Sequence, residues 1–504
     1  MIQQPDFVAF RKGYTGGRNQ AVYSCLPSDL ETPVSLFLKL TSGKPDSFLL
    51  ESVTGGEIRG RYSVIGYSPD LIWESRGSSS WTYVSGGERS AETINSGNDP
   101  IASLRSLLKA SEISLPGDLP PMAAGLFGYL GYDMIRLVEH LPDVNPDPLG
   151  LPDAMMIRPS VIVVVDGVRN EITIVSPAWV KDGVSPERAF DEATARIKAA
   201  IEAIGDPLPH VLPCANVTGD EPVPQSNMKR DAYRRIVERA KAYIRAGDIF
   251  QVVLSHRWAM NFTHPPLAFY RALRRTNPSP YMFYFNFGGF QVCGASPETL
   301  VSLRGGIVTV RPIAGTRKRG KTAQEDTELE TELLGDPKEM AEHLMLLDLG
   351  RNDVGRVAKI GTVEPTETFA VERYSHVMHI VSNVIGQLDE DQDALSALLA
   401  GMPAGTVAGA PKVRAMEIID ELETEKRGVY AGGIGYFSSG GDMDLCIALR
   451  TAVLKDQTLY VQAGGGIVHD SDPDSEYQET VDKSGALVQA ARDSGIFVDF
   501  RNRG

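Results

Sequence analysis

The stretch Tyr281–Gly320, YMFYFNFGGFQVCGASPETLVSLRGGIVTVRPIAGTRKRG, decides the fold class. It contains four short strand-like runs, at residues 281–286, 290–293, 299–303 and 307–311. Strands that follow one another without an intervening helix pair most simply as antiparallel neighbours. The predicted helices are segregated between groups of strands, and there is no regular strand–helix alternation. The pattern therefore predicts an α+β fold with largely antiparallel sheets.

A Pro- and Gly-rich segment, residues 205–227, marks the best candidate boundary in the chain. We predict an N-terminal region at 1–215, a linker at 216–227, a second domain at 228–490 and a C-terminal tail at 491–504. Ser185 and Pro186 cap the helix that precedes the boundary. Further helices are predicted near residues 228–246, 265–276, 336–350, 393–401, 410–423 and 474–494, and further strands at 432–438, 443–453 and 458–463.

Composition narrows the function classes. The chain has 504 residues, a formal net charge of -15 and 42% hydrophobic residues. The acidic excess argues against a nucleic-acid partner, although local fields still allow an anionic small substrate. The four cysteines form no CxxC pair, and no segment has the roughly 18 consecutive apolar residues of a membrane helix or the pattern of a signal peptide. We therefore expect a cytoplasmic protein without membrane contact.

Two predicted helices carry acidic pairs at i, i+3 spacing, Glu339 with Glu342 and Glu476 with Glu479. Residues at this spacing share one helix face. Four carboxylates from two such helices would form a set of hard oxygen ligands suited to Mg²⁺. The alternative is that each pair belongs to a solvated helix face.

Three glycines, Gly464, Gly465 and Gly466, follow a predicted strand. As a turn, they would let backbone N–H groups converge into an anion-binding nest. Arg450 lies at the end of the predicted strand DLCIALR. There its guanidinium would bind a carboxylate through two hydrogen bonds; the alternative is that it forms a surface ion pair.

Two Ala-Gly-Thr triplets, at 314–316 and 404–406, each offer a backbone turn with a hydroxyl group. His379 lies in an apolar stretch, where a histidine is more often a core residue than a catalyst, and His376 competes with it for any role.

Many motifs in this order resemble the family of chorismate-utilising enzymes. The resemblance covers residues 228–490 and reaches the N-terminal half through LLESV and GLFGYLGYD. The motifs of the second half are GDIFQVVLS, NPSPYMFYF, GASPE, RPIAGTRKRG, KEMAEHLMLLDLGRND, YSHVMHIVS, AGTVAGAPKVRAMEII, RGVYAGGIGYF, LCIALRTA, VQAGGGIV and SEYQETVDKSGA.

The resemblance implies the chorismate-utilising fold, with antiparallel sheets packed as a sandwich, helices outside and the N-terminal part packed on the catalytic part. It implies that ring carbon 2 of chorismate is aminated, that the 4-hydroxyl leaves and that pyruvate is eliminated to give anthranilate, in tryptophan biosynthesis. Glu298 matches the general acid for that hydroxyl and would need a raised pKa. Glu342 and Glu479 match Mg²⁺ ligands, with Glu339 and Glu476 in support.

Other site residues are also carried by the resemblance. His379 and Thr406 match the pyruvate-eliminating half of the site, which leaves His376 as a bystander. The substrate-binding matches are Gly315, Thr316, Tyr430, Arg450, Gly464, Gly465, Gly466 and, more weakly, Lys483.

Two positions point to ammonia as the nucleophile. Family members that direct nitrogen to ring carbon 4 typically carry Lys where this chain has Ala314. Members that activate water carry Lys at the position of Gln251, and an amide is a poor base. A glutamine amidotransferase partner is expected to supply the ammonia. Because no such domain follows residue 490, we expect a separate subunit and hence a hetero-oligomer.

LLESV resembles the family's L-tryptophan pocket, with Ser52 as the aligned residue and Pro280, Tyr281 and Met282 as the other wall. A pocket shared by both halves would couple the end product to the active site; the alternative is that LLES is a strand edge. Two alternatives to the whole interpretation remain: a 2-amino-2-deoxyisochorismate synthase without pyruvate elimination, and a catalytically silent regulatory homologue.

Overall fold

The structure, a computed structural model, describes residues 3–53, 60–84, 99–209, 223–373 and 377–498. Within these ranges the chain forms eleven α-helices: α1 (Phe7–Thr15), α2 (Pro33–Thr41), α3 (Pro100–Ala110), α4 (Pro186–Gly205), α5 (Arg230–Ala246), α6 (Pro266–Thr276), α7 (Ala323–Gly335), α8 (Pro337–Gly355), α9 (Ala394–Gly401), α10 (Lys412–Leu422) and α11 (Pro473–Asp493). None of the helices in these ranges is both long and apolar enough to cross a lipid bilayer.

The same ranges contain twenty-one strands, and all their pairings are antiparallel. They are β1 (Gln20–Pro27), β2 (Ser47–Glu51), β3 (Tyr62–Arg76), β4 (Ser79–Tyr83), β5 (Gly125–Leu130), β6 (Ala154–Asp166), β7 (Glu171–Ala178), β8 (Gln225–Ser226), β9 (Gln251–Asn261), β10 (Tyr281–Asn286), β11 (Gln291–Ser296), β12 (Thr299–Arg304), β13 (Ile307–Val310), β14 (Ile313–Lys318), β15 (Glu364–Arg373), β16 (Val377–Gln387), β17 (Gly409–Ala410), β18 (Gly433–Ser438), β19 (Met443–Ile447), β20 (Thr451–Lys455) and β21 (Thr458–Ile467). The predicted α+β class is confirmed.

Two series of strands diverge from the central pair β3–β6. One runs β2–β10–β11–β20–β21–β9, and the other runs β5–β18–β19–β12–β13–β16. Their apolar faces meet in a shared core, where the rings of Phe48 on β2 and Phe127 on β5 stack with centroids 4.5 Å apart. This packing gives the sandwich that the sequence resemblance implied.

Strands from the N-terminal half complete ladders of the second half. Glu51 on β2 faces Met282 on β10, and Gly128 on β5 faces Gly435 on β18. Residues 210–222, which include much of the predicted linker, lie outside the described ranges. The division at 216–227 therefore stays a prediction.

Helices α8 and α11 carry the acidic pairs, and side chains at their N-termini explain where each helix begins. Asp336 accepts hydrogen bonds from the backbone N–H of Lys338 and Glu339, and Asp472 accepts one from Ser475. Proline follows each cap at the first helical position, where its missing N–H costs nothing. α8 packs on β14 and β16, and α11 packs on β21, so the two helices hold their acidic residues against the sheet.

Several features of the fold differ from the sequence expectations. The predicted single strand 443–453 is two strands, because the chain turns at Arg450, whose φ is +46°. Helix α7 and the long hairpin β15–β16 were not predicted. The triplet 314–316 is not a turn but part of β14, with a bulge between Ala314 and Thr316 that places Gly315 at φ +63°.

Candidate active site

Glu298 lies in the connection between β11 and β12 and is only 7% exposed. Its Oε1 accepts a hydrogen bond from the Thr406 hydroxyl at 3.0 Å. Burial raises the pKa of the Glu298 carboxyl to about 8, opposed by the Thr406 hydrogen bond and the positive charge of Lys483. A carboxyl with this pKa is protonated at neutral pH and can donate its proton to a leaving group.

The acidic pair on α8 has partners on two sides. Glu339 accepts from the Arg317 guanidinium at 3.1 Å, and Glu342 accepts from the Gln251 side-chain amide at 3.0 Å. Arg317 belongs to the cationic segment that follows the first Ala-Gly-Thr triplet. Its guanidinium also contacts Glu332 and Asp336, so it joins β14 to both α7 and α8.

The acidic pair on α11 faces the glycine-rich strand β21. Burial raises the pKa of Glu476, and its Oε2 atom is buried without a hydrogen-bond partner among the described residues. Glu479 forms an ion pair with Lys483 at 2.7 Å, and the Lys483 ammonium donates to the carbonyl of Gly464 at 3.0 Å. These contacts fix the first turns of α11 over β21.

The side chains of these four glutamates fit a hard divalent cation, since all offer carboxylate oxygens and Glu476 Oε2 has no partner in the described part of the chain. Within the described ranges, however, no three acidic, histidine or cysteine side chains come close enough together to hold a metal ion. Arg317 and Lys483 instead neutralise Glu339 and Glu479. The four-carboxylate Mg²⁺ site therefore stays a prediction.

The glycine triplet is not the predicted turn. Gly464, Gly465 and Gly466 lie inside β21, pair with Ser255, Leu254 and Val253 of β9, and none of the three has a positive φ. Consecutive N–H groups in a strand point to opposite sides, so the predicted nest is wrong.

In the structure, the three glycines instead allow other side chains to lie close to the backbone of β21. A Cβ atom at Gly464 would lie 3.0 Å from Tyr430 Oη, one at Gly465 would lie 3.0 Å from Glu476 Oε2, and one at Gly466 would lie 2.7 Å from Gln251 Nε2. Each glycine thus leaves room for a different polar side chain. The triplet's direct contact with a substrate stays a prediction.

His379 on β16 lies beside the bulge of β14. Its Nδ1 is 3.0 Å from the Gly315 carbonyl and 3.1 Å from the Thr316 hydroxyl. Because a carbonyl only accepts, Nδ1 carries the hydrogen and Nε2 carries the lone pair. Burial lowers the pKa of His379, the hydrogen bond to Gly315 opposes that effect, and the charge of Arg450 adds to it. The ring is therefore neutral at neutral pH. His376 lies outside the described residues.

Arg450 and Tyr430 lie on the β18–β20 side of the site. Burial lowers the pKa of the Arg450 guanidinium, and burial raises the pKa of Tyr430 to about 12. The backbone of Gly464 forms a hydrogen bond to the Tyr430 hydroxyl. A tyrosine with this pKa stays neutral and can donate its hydroxyl hydrogen.

One buried ion pair escaped the sequence analysis. Arg427 and Glu423 lie 2.6 Å apart, and their side chains are 1% and 4% exposed. Arg427 packs against the ring of Tyr430, and Glu423 accepts from the backbone N–H and the hydroxyl of Ser255 on β9. The pair therefore supports two residues that lie beside Gly464, namely Tyr430 and Ser255. Its only sequence signal is the i, i+4 spacing, which is common on helix surfaces.

A separate cavity of about 230 Å³ lies between the two halves of the chain. Ser52, which follows β2, lines this cavity together with Pro280, Tyr281 and Met282, so the structure brings these four residues together. The Ser52 hydroxyl is buried without a partner among the described residues, while Tyr281 donates to Asp444 at 3.0 Å. The cavity thus offers both apolar walls and an open hydroxyl to a small ligand.

Comparisons with known proteins show which family the chain resembles in sequence and fold. The sequence profile of the chorismate binding enzymes matches residues 68–489. Component 1 of anthranilate synthase from Cereibacter sphaeroides is 63% identical over 97% of this chain and 98% of its own length. The protein of the same name from Pseudomonas putida is 48% identical over 94% of this chain and 96% of its own length.

Solved structures are similar over the same span. Anthranilate synthase component I from Streptococcus pneumoniae superimposes with a TM-score of 0.74 at 37% identity, covering 92% of this chain and 99% of its own. The menaquinone-specific isochorismate synthase of Escherichia coli superimposes with a TM-score of 0.69 at 20% identity, covering 94% and 95%, which shows a shared fold.

Proposed function

Because the chain belongs to the family of chorismate-binding enzymes, we propose that it is the aminating subunit of anthranilate synthase. This subunit converts chorismate and ammonia to anthranilate and pyruvate. Relatives named component 1 of that enzyme match almost the whole chain, at up to 63% identity. Within the site, the observation that carries the proposal is the burial of Glu298. Burial keeps this carboxyl protonated at neutral pH, so it can protonate the 4-hydroxyl of chorismate as that group leaves.

In the amination step, the lone pair of ammonia forms a bond to ring carbon 2 and the ring double bonds shift. The bond from ring carbon 4 to its hydroxyl oxygen breaks, and Glu298 gives that oxygen a proton, so that water leaves. The nitrogen then loses one proton, which restores the Glu298 carboxyl. Thr406 holds the Glu298 carboxyl in place through its 3.0 Å hydrogen bond.

In the elimination step, a base removes the hydrogen on ring carbon 2, the bond from ring carbon 3 to the ether oxygen breaks, and the enol of pyruvate leaves. We assign the base to His379. Its hydrogen bond to Gly315 holds the proton on Nδ1, so the basic lone pair of the neutral ring is on Nε2. The presence of this histidine and of Thr406 favours an anthranilate-forming site over one that stops at the aminated ring.

Polar groups around the site fit the two carboxylates of chorismate. The half-buried Arg450 guanidinium and the buried Tyr430 hydroxyl are donors, and Thr316 and Lys483 add a hydroxyl and an ammonium nearer the surface. Gly315, Gly464, Gly465 and Gly466 complete the proposed substrate-binding set.

Glu342 and Glu479, supported by Glu339 and Glu476, would hold Mg²⁺. The ion would supply Lewis-acid stabilisation of negative charge on a bound carboxylate. Glu476 Oε2 supports this assignment, because a buried carboxylate oxygen without a partner is costly unless a cation or donor meets it.

The partner is proposed from the name of the relatives, since a component 1 implies a second component. We propose a glutamine amidotransferase subunit that supplies ammonia, in a hetero-oligomer located in the cytoplasm. We also assign the 230 Å³ cavity beside Ser52 to L-tryptophan as a feedback inhibitor, because an aromatic side chain fits its apolar walls and an amino acid fits its polar groups.

One assay tests the function. The purified chain is incubated at about pH 8 with chorismate, Mg²⁺ and a high concentration of ammonium, and anthranilate fluorescence and pyruvate are followed together. Equal amounts of both products are expected. An aminated ring without pyruvate would instead indicate a 2-amino-2-deoxyisochorismate synthase. No turnover with any nitrogen source would overturn both and favour a silent homologue.

A further inference from the structure

Gln251 begins β9, and one half of its side-chain amide has no hydrogen-bond partner among the residues that the structure describes. The residue is 4% exposed, and its Nε2 donates to Glu342 Oε1 at 3.0 Å. Because a carboxylate oxygen accepts, this contact fixes the orientation of the amide and turns Oε1 away from Glu342. Within the described part of the chain, Oε1 is buried and accepts no hydrogen bond. A missing bond of this kind destabilises the free protein, which marks Oε1 as a place for a donor.

The surroundings of Gln251 place its side chain at the candidate active site. Gly466 approaches so closely that a Cβ atom there would lie 2.7 Å from Gln251 Nε2. Gln251 thus lies beside the same row of glycines as Tyr430 and Glu476. On its other side, β9 pairs with the two-residue strand β17, where Ala410 faces Gln251.

We propose that Gln251 is the ammonia-binding residue, and that its Oε1 accepts one N–H from the attacking ammonia. This inference rests on the proposed amination of chorismate. Ammonia has three hydrogens and one lone pair, so it can donate to Oε1 while the lone pair attacks ring carbon 2. The electrons follow the path given above: the C–N bond forms, the bond to the 4-hydroxyl breaks, and the proton of Glu298 leaves with that hydroxyl.

The same contact discriminates against water. As the C–N bond forms, positive charge develops on nitrogen and the N–H···O bond to Gln251 becomes stronger, so the amide favours the transition state. Water in the same place would have to lose a proton to become an effective nucleophile, and an amide oxygen is too weak a base to take it. Gln251 therefore has a positive role in addition to the absence of a lysine.

Gln251→Leu tests the inference, because leucine is similar in size and cannot accept a hydrogen bond. With ammonium as the nitrogen source, kcat/KM for ammonia, expressed as the free base, should fall about tenfold, the value of one hydrogen bond. The KM for chorismate and the Mg²⁺ concentration for half-maximal activity should change less than about threefold, although Glu342 also loses a donor.

Gln462→Leu is the matched control, since Gln462 is a buried amide on β21 with both ends bonded, to Ser255 and to Arg257. It should leave the ratio of the two substrate specificities unchanged. Proportional losses for ammonia and chorismate in Gln251→Leu, or no loss for ammonia, would overturn the ammonia site while wild-type turnover upheld the proposed function. A wild-type chain without turnover would overturn both.

Discussion

Glu298→Gln should stabilise the protein at neutral pH although it removes the proposed proton donor. The folded-state pKa of about 8 lies above the value of 4.5 for an unperturbed glutamate, so the folded state binds the proton more tightly than the unfolded state. Stability is then fully present below pH 4.5 and falls as the pH rises towards 8. From pH 4.5 to pH 7 is roughly 2.5 pH units, and each unit lowers the free energy of unfolding by about 1.36 kcal/mol. The wild type therefore loses about 3 kcal/mol of stability by pH 7. Glutamine does not ionise and can still accept from Thr406.

Thermal unfolding at two pH values measures this effect. Between pH 5.5 and 7.5 the stability of the wild type should fall by roughly 3 kcal/mol relative to the variant. An unfolding entropy of about 2.1 cal/mol/K per residue gives roughly 1 kcal/mol/K for a chain of this length, so the difference between the two Tm values should widen by roughly 3 °C.

The control for this prediction is Glu238→Gln on α5, because Glu238 is exposed. Its Tm should follow that of the wild type at both pH values. If the Tm values of the wild type and Glu298→Gln change in parallel with pH, the raised pKa of Glu298 is refuted, and with it the argument for a general acid at this position.

Three further predictions concern activity. kcat should fall above about pH 8 as Glu298 ionises. Thr406→Val removes a hydrogen bond that lowers the Glu298 pKa, so it should move this fall to higher pH. A fall at lower pH in the variant would contradict the effect assigned to that hydrogen bond. Ser52→Phe should fill the 230 Å³ cavity, retain turnover and abolish inhibition by tryptophan in an anthranilate assay, and undiminished inhibition would remove the assigned pocket. Arg317→Ala should lower the Mg²⁺ concentration for half-maximal activity several-fold, because the guanidinium 3.1 Å from Glu339 competes with the ion; an unchanged or higher requirement would exclude that competition.

The strand pattern of the sequence was sufficient to predict the fold class, because antiparallel neighbours joined by short turns leave a local signal. The four predicted strands between residues 281 and 311 are β10 to β13. The glycine triplet at 464–466 was predicted to be a turn, because glycine favours turns, but it lies within a strand. There, pairing with β9 and close contact with three side chains outweigh local preference. No local pattern reveals such tertiary contacts.

The candidate site was less accessible to sequence reasoning than the fold. Glu298 and Thr406 are separated by 108 positions, and their hydrogen bond creates no spacing that could be recognised. Only the family resemblance pointed to them. The acidic pairs on α8 and α11 were visible as i, i+3 patterns, but the contact of Glu339 with Arg317, 22 positions earlier, leaves no local pattern. The open oxygen of Gln251 depends on an amide orientation that only a three-dimensional contact sets.

The ladders that join β2 to β10 and β5 to β18 have a consequence for dissection of the chain. A truncated protein beginning at residue 228 would lack β2 and β5, so β10 and β18 would each present one row of unpaired N–H and C=O groups. Exposed edges of this kind recruit strands from other molecules, and we expect such a fragment to self-associate. Insertions that preserve these two ladders should be better tolerated than a one-residue slip in β2, which would exchange the side chains of its two buried faces.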